Sequence, residues 1–292
     1  MWQNVIDATV VPEANAGCLA MLLCWRPRIF LFRDILSNDE CAVLIRAAKR
    51  IGLQAAMTND GEPSKRRAFA AWLAPNVPQL GDDAAVLTAV QQRLAILARF
   101  LPEQLETPQV IRYGTGEAYD LHPDACASKG SQEWRDMART GGQRLCTALC
   151  YLSTMDLDGG GETHFPLAEH LPATDIQPFD NTEDVTHRQV FWDTTCSRGR
   201  TSRWARWGLP APSSGGGLRV RPVARSTLLW FNTLPDGSVD PRAVHASLPV
   251  RAGNAEKWVL SQWMRERPCG PRSRTNARAQ PSSKMQQRDL TA

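Results

Sequence analysis

The residues of this chain most able to do chemistry are two histidines and one aspartate, in two segments about 120 residues apart. His122 and Asp124 form a His-Pro-Asp motif, and His245 lies in the second segment. Two imidazoles and one carboxylate on one face of a ferrous ion leave three coordination positions open, as an oxygenase needs to bind a co-substrate and O₂. The residue types therefore favour a non-haem iron site.

The spacing of these residues supports the metal interpretation. His122 and Asp124 are two residues apart, so on a β-strand both side chains point to one face, and Pro123 ends the hydrogen-bonding ladder there. Alone, a His-x-Asp pair is common and His245 fits a core histidine. However, the chain has only five histidines, and the second and seventh strands of a double-sheet roll are neighbours. Zinc would more often have a third histidine or cysteine thiolates.

Short strands must position these residues. From Gln109 onward, apolar residues recur with a period of two in eight short segments separated by Gly, Pro and Asp. This pattern predicts a double-sheet roll or barrel. The eight segments are 110–113, 117–121, 144–152, 163–165, 218–223, 227–232, 243–250 and 257–264.

The first hundred residues predict a supporting layer of mixed α and β structure. Residues 28–33 indicate a strand, and the Ser-x-x-Glu motif at Ser37 is a capping box that opens an amphipathic helix ending near Gly52. Residues 66–73 suggest another strand, and residues 83–101 carry apolar side chains at helical spacing. We expect these helices to pack on one sheet of the β core.

The expected fold class is α+β, mainly β, with a double-stranded β-helix (jelly-roll) core and supporting N-terminal helices. A polar, Gly-ended segment at 125–143 and a long insertion interrupt the β pattern, and long loops on such a scaffold are functional or disordered. The predicted organisation is a leader at 1–27, one domain at 28–267, helical support at about 34–101, a β core at about 107–265, an insertion at 168–217 and a basic disordered tail at 268–292.

Composition indicates a soluble globular protein. The chain has 292 residues, 42% hydrophobic and 22% charged, with a net charge of +4, values that argue against overall disorder or a membrane bundle. Eight cysteines without a CxxC pair leave the redox compartment open. The apolar run at 16–25 follows Asp7 and Glu13, unlike a secretory signal, and is too short to span a bilayer. A packed leader is favoured over an atypical signal or anchor.

At these motifs the chain resembles the prolyl 4-hydroxylase family of Fe(II) and 2-oxoglutarate-dependent dioxygenases, which has collagen-type, plant and algal members. The resemblance covers roughly residues 28–265, and the ordered series of motifs is more specific than any one of them. The series comprises 111–124, 144–153, the Gly-Gly-Gly-Glu-Thr-His-Phe-Pro segment 159–166, 228–232, 245–253 and 257–263.

The resemblance implies that His122, Asp124 and His245 are the iron ligands and that Lys257 pairs with the distal carboxylate of 2-oxoglutarate. A buried dicarboxylate needs a fixed cation at one end and the metal at the other, and an unpaired buried lysine would be costly. Two extra residues precede Lys257 relative to the family pattern, but two is the strand period, so Lys257 can still face inward. Tyr151 is expected to donate a hydrogen bond to the carboxylate, and the further candidates for binding it are Tyr113, Thr147 and Ser261.

By the same resemblance, the expected reaction couples decarboxylation of 2-oxoglutarate to succinate with hydroxylation of a proline in an extended, polyproline II-like peptide. O₂ is the oxidant, and ascorbate keeps the iron ferrous. Alternatives are another residue, a small molecule or a nucleic acid as substrate, or a non-catalytic jelly-roll module. The segment 198–207 has Arg and Trp residues that suit nucleic acid, but one short insertion is not a basic groove, so we expect no nucleic acid partner.

The compartment and the oligomeric state are not fixed by the sequence. The resemblance suggests the endoplasmic reticulum and the secretory pathway, whereas the N-terminus has no clear signal peptide, which leaves the cytoplasm as the alternative. The sequence gives no firm membrane signal and no indication of the number of subunits.

Overall fold

The computed structural model describes residues 20–56, 65–128, 130–169, 190–192, 217–251 and 256–269. Its helices are α1 (Asn38–Ile51), α2 (Asp83–Ala98) and α3 (Gln132–Arg139). Its strands are β1 (Ala20–Trp25), β2 (Arg28–Phe32), β3 (Gln54–Ala55), β4 (Arg66–Arg67), β5 (Phe69–Trp72), β6 (Gln109–Tyr113), β7 (Ala118–His122), β8 (Arg144–Tyr151), β9 (Thr163–Phe165), β10 (Val190–Trp192), β11 (Leu218–Val220), β12 (Thr227–Phe231), β13 (His245–Ser247) and β14 (Lys257–Arg265).

The strands form two sheets. The larger sheet has the order β1-β2-β12-β8-β14-β6-β5-β3, and the smaller has the order β10-β11-β9-β13-β7-β4. Their pairings are antiparallel. The eight strands that the period-two pattern predicts are all present, as β6 to β9 and β11 to β14. The seventh spans only His245–Ser247 of its predicted range 243–250, and a 3₁₀ turn at Pro241–Ala243 precedes it.

Alternation along each strand assigns one face to the helices and the other to the space between the sheets. On β8, Cys146, Ala148 and Cys150 pack in the cluster that α1 and α2 complete. Leu149 and Tyr151 instead join a second cluster with residues of the smaller sheet. The period of two thus gives the larger sheet two buried faces, and the space between the sheets becomes available for a site.

The capping box that the sequence predicts at the start of α1 is confirmed. The Ser37 Oγ accepts a hydrogen bond from the Glu40 N–H at 3.1 Å, and the Glu40 carboxylate accepts from the Ser37 N–H at 2.8 Å. Arg93 of α2 also donates to Glu40 at 3.0 Å, so the same carboxylate joins the two helices. The second helix ends at Ala98, earlier than the expected residue 101, because Arg99 adopts the left-handed conformation with φ 58°.

Several elements differ from the sequence prediction, among them the strand expected at 66–73, which is divided into β4 and β5 in different sheets. Strand β1 pairs with β2 before the expected domain start at residue 28; its continuous apolar run carries no alternation to reveal it. Helix α3 lies in the polar segment 125–143; its apolar face is only Trp134, Met137 and Ala138, and Met137 is its one buried residue, so the pattern is too short to predict a helix. Strand β10 lies inside the predicted insertion and pairs with β11, which follows the insertion. The described helices all fall short of the length and apolarity that crossing a membrane requires.

Candidate active site

The metal-ligand candidates meet between strands β7 and β13. The antiparallel register places His245 directly opposite His122, which confirms the prediction that the second and seventh core strands are neighbours. Asp124 follows His122 just beyond the end of β7. The Asp124 carboxylate oxygens lie 3.9 Å from the His122 Nε2 and 3.8 Å from the His245 Nε2. Candidate ligand atoms of all three residues lie within 4.8 Å of one another, so the three side chains can bind one ion.

Backbone carbonyls orient both imidazoles. The Nδ1 of His122 lies 2.8 Å from the Asp120 carbonyl oxygen, and the Nδ1 of His245 lies 3.0 Å from the Ala243 carbonyl oxygen. A proton on each Nδ1 would donate to its carbonyl and leave the Nε2 lone pair directed at a metal. Burial, together with the neighbouring His245, lowers the pKa of His122 to about 3. His122 is therefore neutral at physiological pH, as a metal ligand must be.

A hydrogen-bonded chain fixes the carboxylate ligand. The Thr147 hydroxyl donates to the Asp124 Oδ2 at 2.7 Å, and the Asn232 amide donates to the Thr147 hydroxyl at 2.9 Å. Burial opposes ionisation of Asp124, but the nearby histidines and Arg144 outweigh it and hold the pKa of Asp124 below its usual value. Thr147, which the sequence suggested as a contact of 2-oxoglutarate, thus lies behind a metal ligand.

Replacing Thr147 by valine is expected to weaken Fe(II) binding by about 10- to 100-fold, the usual effect of losing a group that orients a ligand. The fold is expected to survive because the shape of the side chain is retained. Metal titration, with thermal unfolding measured in parallel, tests this. Thr88→Val, at an exposed position of α2, is the matched control, and an unchanged metal affinity in Thr147→Val would contradict the role of Thr147.

Lys257 is a buried cation in the same cavity as the three metal-ligand candidates. Its side chain is 1% exposed; the Nζ donates to the Ser247 hydroxyl at 2.7 Å and lies 5.0 Å from the centre of the Tyr113 ring. Among the described residues, no carboxylate forms an ion pair with it. Burial lowers the pKa of Lys257 to about 7, with partial opposition from Glu162. A cation held this way needs an anionic partner, and a dicarboxylate bound to the metal fits that need.

The other expected contacts of the co-substrate divide into two groups. Tyr113 and Ser261 line the cavity with Lys257. Tyr151 lies behind the cavity wall, fully buried, and its hydroxyl donates to the Thr163 hydroxyl at 2.7 Å, so the structure places Thr163 between Tyr151 and the cavity.

Sequence reasoning missed two hydroxyl residues that line the cavity, Thr163 and Ser247. Thr163 lies within the Gly-rich motif 159–166, and Ser247 follows His245 by one strand period. The motif position of Thr163 and the two-residue spacing of Ser247 from His245 could therefore have identified both residues from the sequence.

Aromatic side chains line the cavity beside the metal-ligand candidates, and a cationic side chain packs behind one of them. The Tyr119 ring stacks on the His122 ring, with 3.5 Å between centroids and 16° between planes, and Trp263 lines the wall. Arg144 lies 4.1 Å from the Trp263 ring and forms a two-pronged ion pair with Glu106, at 2.6 and 2.9 Å. Sequence reasoning missed Glu106, which carries no motif signal. Residues 198–207, His170 and His187 lie outside the described residues.

Comparison with known proteins agrees with this geometry. The chain is 29% identical over 251 residues to probable prolyl 4-hydroxylase 8 of Arabidopsis thaliana, covering 86% of this chain and 73% of that protein. It is 28% identical over 271 residues to prolyl 4-hydroxylase 1 of the same plant, covering 91% and 78%. The crystal structure of a viral collagen prolyl hydroxylase from Paramecium Bursaria Chlorella virus-1, as its 2OG complex, has a similar fold: TM-score 0.50 and 22% identity over 80% of this chain and 94% of that one.

The sequence model of one family matches a continuous stretch of the chain, residues 108–265. This stretch contains β6 to β14, and with them the three metal-ligand candidates and the buried lysine. It is more than half of the chain's length. The chain therefore belongs to the 2OG-Fe(II) oxygenase superfamily.

Proposed function

We propose that this protein hydroxylates proline residues in peptides, with Fe(II) and 2-oxoglutarate as cofactor and co-substrate. The observation that carries the proposal is that one cavity contains both the His122, Asp124 and His245 cluster and the buried Lys257. These are the two anchors that a metal-bound dicarboxylate needs. The choice of proline is supported by relatives named prolyl 4-hydroxylases, whose similarity extends over most of the chain.

The strand order supports a double-stranded β-helix as the detailed form of the core. Strands β6, β8, β12 and β14 lie in the larger sheet, and β7, β9, β11 and β13 lie in the smaller sheet. Successive core strands therefore alternate between the sheets except at the step from β9 to β11. Two interleaved sheets of this kind form a roll, and the ligands lie at one end of its inner face.

Each side chain has a distinct part in the proposed reaction. When bound, iron, 2-oxoglutarate and O₂ together supply the oxidant for the C–H bond, and the co-substrate leaves as succinate and CO₂. His122, Asp124 and His245 would bind the iron, and protonated Lys257 would hold the distal carboxylate. Tyr119 covers one side of the His122 ring, so it limits the access of water to the reacting centre.

The affinity for 2-oxoglutarate is expected to fall as pH rises above 7. Lys257 has a pKa of about 7, and the protonated form binds the carboxylate. Below pH 7 the affinity should be constant; above it, the affinity should fall by up to about tenfold per pH unit, because binding keeps the lysine protonated. Titration of the metal-loaded protein between pH 6 and 9 measures this.

Lys257→Arg is the matched variant for this pH dependence. Arginine stays charged throughout this range, so its affinity, although lower, should not change with pH. A pH-independent affinity in the wild-type protein would contradict the lowered pKa of Lys257, and an affinity that Lys257→Met leaves unchanged would show that Lys257 does not bind the carboxylate.

Ascorbate as the reductant that keeps iron ferrous, and a location in the secretory pathway, stay predictions from the family resemblance. Turnover with and without ascorbate tests the first. Localisation of the full-length chain in its own cell tests the second.

The proposed function is tested by assaying succinate release from proline-containing peptides in the presence of Fe(II). Peptide-dependent succinate, with hydroxyproline identified by fragmentation mass spectrometry, is the expected result. Oxygen gain on a different residue or on a small molecule would favour the alternative oxygenase, and no turnover with metal bound would favour a binding module.

A further inference from the structure

Arg66 forms the outer layer of a stack that ends on a metal-ligand candidate. Strand β4 pairs with β7 so that Arg66 lies opposite Tyr119, and its guanidinium carbon lies 4.8 Å from the centre of the Tyr119 ring. The Tyr119 ring in turn stacks on His122. All three side chains line the cavity, so a positive charge lies one aromatic layer away from the metal centre.

The hydrogen bonds of Arg66 do not neutralise this charge. One guanidinium nitrogen donates to the neutral Gln109 side-chain oxygen at 2.6 Å, and the other side-chain partner is the neutral Tyr113 hydroxyl. The Nε is buried and has no acceptor among the described residues, and no described carboxylate forms an ion pair with this side chain, which is 9% exposed. Burying a charge without an anion is unfavourable, which favours an anionic group entering the cavity.

The nearby carboxylates are already committed to other partners. Glu106 is shared between Arg144 and Arg265, each with a closest distance of 2.6 Å, so that cluster has one positive charge in excess. Asp124 belongs to the metal-ligand set. Arg66 therefore lines the cavity as a positive charge without a paired carboxylate among the described residues, and the aromatic ring of Tyr119 cannot replace one.

We propose that Arg66 selects peptides in which an acidic residue lies one or two positions from the target proline. This inference rests on the proposed proline hydroxylation. An extended peptide advances about 3.1 Å per residue in the polyproline II conformation. With the target proline at the metal site, the carboxylate of an Asp or Glu one or two residues away can therefore extend past the Tyr119 ring to the Arg66 guanidinium. The planar guanidinium matches the geometry of a carboxylate.

The test uses peptides with one proline and with Glu, Gln or Lys placed at each of the two positions on either side. The peptide termini are acetylated and amidated, so the side chain of the substituted residue is the only charge that differs between peptides. Hydroxyproline formation gives kcat/KM, and calorimetry on protein loaded with Mn(II) and 2-oxoglutarate gives the affinity without turnover. At one or more positions, we expect Glu to exceed Gln by about 10- to 100-fold in both measurements, the range for a charge-assisted hydrogen bond, and Lys to be the poorest.

Variants assign this preference to its residue. Arg66→Gln should bring the Glu-to-Gln ratio close to one, Arg66→Lys should keep part of it, and Arg66→Glu should invert it in favour of the Lys peptide. Arg67→Gln, at the exposed neighbouring position of β4, should leave the ratio intact. Equal treatment of Glu, Gln and Lys peptides at every position, or a Glu preference that survives Arg66→Gln, would overturn the proposal.

The two readouts separate this proposal from the proposed function. If Glu peptides bind preferentially through Arg66 but no hydroxyproline forms, the acidic selectivity stands and the proline assignment is wrong. If proline is hydroxylated regardless of the neighbouring charge, the function stands and the selectivity is wrong.

Discussion

Replacing His122 by alanine is expected to abolish Fe(II)-dependent turnover and to reduce Fe(II) affinity by at least about a thousandfold. Loss of an outer partner of a ligand costs roughly 10- to 100-fold in affinity, and loss of the ligand itself should cost more. The two remaining groups, Asp124 and His245, cannot hold three of the six positions of the ion. Metal titration and succinate release measure the two effects separately.

His164 provides the control for this variant, because it is the one other histidine among the described residues and is not part of the metal-ligand cluster. His164→Ala is therefore expected to bind Fe(II) like the wild-type protein. Thermal unfolding of both variants shows whether the fold survives. Wild-type Fe(II) affinity in a folded His122→Ala protein would contradict the assignment of the metal site.

Replacing Lys257 by methionine is expected to reduce the affinity for 2-oxoglutarate by about 10²- to several 10³-fold, because removing one partner of a buried ion pair costs about 3–5 kcal/mol. The same change should stabilise the ligand-free protein. Lys257 is buried without a carboxylate partner in the described part of the chain, and its pKa is about 7 instead of the ordinary 10.5. The lysine is thus held in place for binding at the expense of stability.

The gain in stability should depend on pH in a defined direction. A base whose pKa is lower in the folded protein binds fewer protons when folded, so protonation favours the unfolded chain. The penalty starts as pH falls below 10.5 and is complete below about pH 7. At pH 6, Lys257→Met should therefore raise the free energy of unfolding by an amount on the order of 4 kcal/mol, and the gain should shrink towards pH 9.

Chemical denaturation of both ligand-free proteins at several pH values checks this trend. Lys49→Met, on the exposed face of α1, should change neither the stability trend nor the co-substrate affinity. Equal stability of Lys257→Met and the wild type at pH 6, or a gain that grows with pH, would show that the buried lysine carries no penalty.

The sequence predicts the core strands and the metal cluster because both depend on the period of two. His122 and Asp124 share a face by parity, and the alternation in residues 257–264 directs Lys257 inward despite the longer turn before it. The resemblance adds the order of the motifs, and the family match at 108–265 confirms the same stretch. Local pattern and family order therefore point to the same site.

The sequence does not show how far a side chain lies from the cavity, or which strands distant in the chain pair with one another. Parity places Tyr151 on the inner face of β8, but it cannot show that Thr163 lies between the Tyr151 hydroxyl and the cavity. Arg66 and Tyr119 are far apart in the chain and meet only through the pairing of β4 with β7. Helix α3 has eight residues and an apolar face of only Trp134, Met137 and Ala138, which is about one turn and too short for a sequence pattern to detect.

Incubation with Fe(II), 2-oxoglutarate and ¹⁸O₂ tests the central claim most directly. If this chain is a 2-oxoglutarate-dependent proline hydroxylase, mass spectrometry should find one labelled oxygen in succinate for each peptide turned over, and a labelled hydroxyl on proline. Both labels should be absent from the His122→Ala protein. Label on any other residue, or hydroxyproline formed without labelled succinate, would contradict the proposed function.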